Sequence, residues 1–108
     1  MGAGRAMESW GHHGRFSYQG NLGSGLKIIL GVDRSFVVSP GVLSSLLAHF
    51  AGRVVPIGAS RNPARDSLGA WLRSRVDAPL AAAYVGPILV KEGVAERDGK
   101  DALRFFDG

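Results

Sequence analysis

Apolar residues along this chain switch between two periods. In "RFSYQ" (15–19), Phe16 and Tyr18 fall at every second position, and in "LKIILGV" (26–32) so do Leu26, Ile28, Leu30 and Val32. Period two buries one face of an extended chain, so both stretches are predicted as strands. The Gly-rich "GNLGSG" between them then reads as a hairpin loop. From Ser39 the period lengthens. "SPGVLSSLLAHFAG" places Leu43, Leu46, Leu47 and Phe50 on one helical stripe. Ser39 is a suitable cap, Pro40 suits the first helical position, and Gly52 stands where a left-handed residue ends a helix. "RVVPI" (53–57) is a short strand whose Pro56 confines it to an edge. "GASRNPAR" (58–65) is a loop. "DSLGAWLRSRV" (66–76) returns to helical spacing through Leu68, Trp71, Leu72 and Val76, capped by Asp66 or Ser67. A third helix runs from Pro79 to Gly93, with a kink or break expected at Gly86-Pro87, because proline removes a helical hydrogen bond. Val94–Arg97 and Ala102–Phe106 are strand candidates around an Asp98-Gly99 turn. Leu47, Trp71 and Leu89 are expected to share one core.

The first fourteen residues, "MGAGRAMESWGHHG", show neither period and contain four glycines. They read as a flexible tail, with Trp10 in it, ahead of one domain over 15–108. Hydrophobic residues make up 45% of the 108, enough to drive folding around a single core. Cysteine is absent, so disulfides and thiolate metal sites are excluded. The longest apolar run, Ala78 to Val90, is 13 residues with two prolines, too short for a bilayer. No apolar leader is read at the N-terminus. A cytoplasmic protein with no membrane partner is the expectation.

Charge divides the chain. Residues 1–76 carry nine Lys/Arg against three Asp/Glu; residues 77–108 carry four against six. Ten of the thirteen cations are arginine, the residue suited to planar contacts with phosphate or carboxylate. The basic side gathers Arg53, Arg61, Arg65, Arg73 and Arg75 against Asp66. By helical angle Arg73 points away from the apolar stripe. Arg75 falls near the stripe, where it snorkels or pairs with an acid.

The order helix, short strand, helix, helix, hairpin is similar to the winged helix-turn-helix superfamily. "SLGAWLRSRV", the turn at Asp77-Ala78, "PLAAAYVGPILVKEG" and the hairpin "VAERDGKDALRFF" carry the likeness, which covers residues 39–106. The resemblance implies an α+β fold: a winged-helix-like three-helix domain with a C-terminal β-hairpin, here with an added N-terminal β-hairpin. It also implies a recognition helix in the major groove of double-stranded DNA, with the hairpin as the wing. The residues assign phosphate contacts to Arg61, Arg65 and Arg73, with Lys91 at the end of the recognition helix. That helix offers no base-reading side chain over Ala81, Ala82, Ala83, Gly86 and Val90. An Ala-rich, uncharged helix also suits packing on another chain. The alternative is therefore a homodimerising or protein-interaction module, with Ala82, Gly86 and Val90 at its interface.

Other motifs are set aside. "GNLGSGLK" lacks the spacing and the following helix of a phosphate loop. His12, His13 and His49 show no ligand spacing, so no metal is assigned. Ser35, Ser39, Ser44, Ser45 and Ser60 lack a nucleophile's setting, and no cofactor motif is present. The expected function is non-catalytic nucleic-acid binding.

Overall fold

The period-two stretches form strands, and the chain builds more of them than the pattern predicts. The computed structural model describes residues 7–10, 15–30, 34–58, 63–76, 78 and 80–106. Strands β1 (Met7–Glu8), β2 (Arg15–Asn21), β3 (Gly25–Leu30) and β4 (Arg34–Val38) make one antiparallel sheet in that order. Register aligns Tyr18, Ile28 and Phe36 across its inner face, and Gln19, Lys27 and Val37 across the outer one. Phe16, Tyr18, Leu26, Ile28 and Val38 are buried, as alternation demands. β4 was not anticipated, because "RSFVV" alternates poorly; pairing with β3 decides it.

Helix α1 (Pro40–Phe50) begins as expected, with the Ser39 hydroxyl accepting from the Val42 N–H at 3.2 Å and Pro40 in the first turn. It buries Leu43, Leu46 and Phe50. Strand β5 (Val54–Pro56) follows. Helix α2 (Leu68–Arg73) is shorter than its period suggested and is capped by Ser67, whose hydroxyl accepts from Ala70 N–H at 3.1 Å. Helix α3 (Ala81–Lys91) leads to strands β6 (Ala95–Arg97) and β7 (Ala102–Phe105). The second antiparallel sheet has the order β5-β7-β6, and Val55, Leu103, Phe105 and Ala95 face the core from it. The described residues form a small compact α+β domain of three helices and two antiparallel sheets. Leu89 is at its centre; Leu47 and Trp71 pack against its margin, half-buried.

The break expected at Gly86-Pro87 and the tail expected around Trp10 are both overturned, for one physical reason. α3 runs unbroken through Pro87. Proline leaves the carbonyl four residues back, that of Ala83, without its helical donor. The backbone N–H of Trp10 supplies that donor at 2.8 Å. Trp10 is thus no part of a tail: it is 4% exposed and its indole lies against Gly86. A Cβ at position 86 would sit 3.3 Å from the indole and 3.0 Å from Ile57, so only glycine leaves this slot open. The indole N–H donates to the Lys100 carbonyl at 3.1 Å, and the Arg97 guanidinium lies 4.2 Å over the ring. The β6–β7 hairpin therefore closes over Trp10. The rest of the expected tail, residues 1–6 and 11–14 with His12 and His13, lies outside the described residues.

The large sheet covers α3 from the other side. Tyr84 meets Phe16 edge-on at 5.2 Å and Phe36 at 6.2 Å. Tyr18 donates its phenol hydrogen to Glu92 Oε2 at 2.7 Å. Burial first, then that carboxylate, push the Tyr18 phenol up to about 12. Below pH 10 the phenol is neutral in both folded and unfolded chains, and its contribution to stability is complete. Between about pH 10 and 12 only the unfolded chain ionises there, so that contribution is lost. Melting temperature should fall across this window, and less steeply in Tyr18→Phe; parallel curves for the two proteins would refute the coupling.

Candidate functional site

Burial sorts the residues singled out in the sequence. Ala82 is fully buried and Gly86 is buried under Trp10, while Val90 is half-buried. Ala82 and Gly86 of the proposed α3 interface are therefore interior, a correction that follows from the sheet and Trp10 covering them, and only Val90 is partly exposed. The same burial overturns a recognition role for α3, since a helix enclosed by its own chain does not enter a groove. Lys91 is exposed at the end of α3, but its ammonium lies 5.5 Å over the Tyr18 ring, on the large-sheet side. Arg61 lies outside the described residues.

Arg65 and Arg73 remain, and the fold gives them company. The end of α1, the start of β5 and the start of α2 enclose a cleft of about 130 Å³. His49, Phe50, Arg53, Arg65, Asp66, Ser67, Ala70 and Trp71 line it. Ser67, buried, is engaged as a cap and also donates to the Ala64 carbonyl at 2.6 Å. Phe50 forms the floor. It stacks on Phe105 at 5.4 Å and meets Trp71 at 6.0 Å. The Arg53 guanidinium lies 5.8 Å over Phe50. Arg73 is exposed one turn beyond Ala70 on the same face of α2.

One wall is a stack of unlike groups. His49 lies nearly parallel to Trp71, with 6.0 Å between ring centres and 24° between planes. Arg75 covers Trp71 at 4.1 Å and donates to the Trp71 carbonyl at 2.9 Å and to Ser74 Oγ at 3.0 Å. Arg75 thus snorkels over the ring, and among the described residues it pairs with no acid. Arg53 and Arg65 line this cleft and Arg73 and Arg75 lie on the adjoining helix α2 and its end, with Asp66 the one lining carboxylate among the described residues.

The hairpin contrasts with this. Arg104 pairs with Glu96, and Asp98 and Asp101 offset Arg97 and Lys100. Among the described residues no three His, Asp or Glu side chains converge as a metal site, and no helix is long and apolar enough to cross a membrane. The cleft's aromatic members were not assigned from sequence. Their signal was present as two helical spacings that set a guanidinium over a ring, Phe50 to Arg53 at i, i+3 and Trp71 to Arg75 at i, i+4.

No protein-family model, curated protein or solved structure matches this chain.

Proposed function

We propose that this protein is a non-catalytic nucleic-acid-binding domain that engages phosphates through the cleft between α1 and α2. The observation that carries this is an aromatic-floored cleft lined by the exposed Arg53 and Arg65, with the exposed Arg73 and Arg75 on the adjoining helix and, among the described residues, a single lining carboxylate, Asp66. Guanidinium groups offer forked donors that match phosphate oxygens, and low local carboxylate density leaves their field available to a polyanion. The order α1, β5, α2, α3, β6, β7, with strands arranged β5-β7-β6, resembles the winged-helix arrangement and is consistent with a domain of that type. The contact surface differs from the one that likeness implies, because α3 is covered. A cytoplasmic location accords with this reading.

Salt dependence tests it. If Arg53, Arg65 and Arg73 each neutralise one phosphate, the log–log slope of affinity against salt is about −2 to −3. Arg73→Ala should weaken binding to all sequences alike and reduce the slope by about 0.7–0.9, since a phosphate contact reads no base. Undetectable binding at low salt, to single-stranded and duplex nucleic acid alike, would overturn the proposal.

A second reading, a protein-interaction module, draws on a different surface. Val54 is 54% and Phe106 43% exposed on the outer face of the small sheet. Sedimentation as a dimer at micromolar concentration that is lost in Val54→Glu would favour it over nucleic-acid binding.

A further inference from the structure

We infer that the cleft takes an unpaired, single-stranded nucleic acid, with one phosphate between Arg53 and Arg65 and the adjoining base on the His49–Trp71 wall. This deepens the nucleic-acid reading and rests on it. A duplex is read by an element that enters a groove, and the described helices offer none. α3 is enclosed. α2 has six residues, and the exposed positions Ser44, Ser45 and Ala48 of α1 carry no lysine or arginine. At about 130 Å³ the cleft is far smaller than the roughly 300–1,000 Å³ of sites that enclose a whole small molecule. It admits one group of a longer chain and leaves the rest to run on outside.

The wall supplies what an unpaired base needs. Proteins that hold single strands combine a cationic groove with aromatic faces, because every base has a π-face and a sequence-independent stack follows. Here the two kinds of group share one cleft. Trp71 is half-exposed between His49 and Arg75, and both of these are themselves exposed. An exposed cation–π contact is weaker than a base–aromatic stack. A base therefore displaces the Arg75 guanidinium from the Trp71 face, and the freed guanidinium becomes a further phosphate contact. In a duplex the bases are stacked on one another and do not reach the ring.

The experiment compares labelled oligothymidylate and oligouridylate of about fifteen nucleotides with a labelled duplex of equal length at low salt. The expected result is tighter binding of either single strand than of the duplex. Trp71→Ala should weaken single-strand binding about 5- to 100-fold, the value of one stack, while Trp71→Phe keeps it within about threefold. Because Trp71 also packs on Phe50, a second variant guards against a folding defect: Arg53→Glu with Arg65→Glu, both at exposed positions, should lower affinity more than about tenfold. Tryptophan fluorescence should be quenched by oligothymidylate in the parent, and less in Trp71→Phe. A duplex bound as well as the single strands would overturn the inference and leave nucleic-acid binding standing. Single-strand binding indifferent to both Trp71→Ala and the double arginine variant would also overturn it, by removing the cleft as the site. Failure of every oligonucleotide to bind would discard inference and function together.

Discussion

Trp10→Ala should destabilise the protein by about 3–5 kcal/mol, the cost of emptying a buried tryptophan site. For a domain of this size that lowers Tm by more than about 10 °C. Several losses coincide at one residue. The slot framed by Gly86 and Ile57 is vacated, the indole donor to the Lys100 carbonyl disappears, and Arg97 loses the ring beneath it. The backbone N–H that satisfies Ala83 survives the substitution, so the effect measured belongs to the side chain. Trp10→Phe separates the terms. It keeps most of the apolar contact and removes the hydrogen bond, for which about 1 kcal/mol is expected. A Trp10→Ala protein that melts with the parent would show that the segment around Trp10 contributes nothing to the fold.

Ala82→Glu should unfold the monomer. Read from the sequence, position 82 lay on an exposed face, and a charge there would separate two chains. In the structure Ala82 is wholly inaccessible and lies in α3 among core residues. A glutamate there meets two penalties. An unpaired carboxylate is buried, at about 3–5 kcal/mol, and extra side-chain volume is forced into a filled core, at about 1–3 kcal/mol more. Against a typical total of about 5–15 kcal/mol, the sum removes most or all of the stability. Circular dichroism and dispersed amide resonances report the outcome. A folded variant whose only change is a lower mass in solution would restore the exposed-face reading and refute the burial of α3.

Much of the architecture is legible from local patterns. Alternation at Phe16/Tyr18 and at Leu26/Ile28 specifies strands, since period two follows from backbone geometry alone. Ser39-Pro40 and Ser67 mark helix starts through hydrogen bonds that span three residues. The Asp98-Gly99 turn needs only its own dihedral preferences, and Gly99 indeed has φ of 74°. The arginine excess in the first 76 residues, and Arg65 and Arg73 within it, were readable as composition. These features share one property: the interactions that enforce them lie within a few positions of one another.

Tertiary structure decided the rest. Pro87 by local rules breaks a helix, and it does not, because Trp10 donates to Ala83 from seventy-three positions away. The apolar α3 was equally compatible with a partner chain or a DNA groove. Contacts of Tyr84 with Phe16 and Phe36, and of Glu92 with Tyr18, enclose it within its own chain. The cleft is of the same kind: His49 and Trp71 belong to different helices, and only packing of α2 against the end of α1 stacks them. Periodicity records that a face is apolar. Which surface covers that face depends on the summed packing of segments far apart in the chain, and no single stretch of residues encodes that sum.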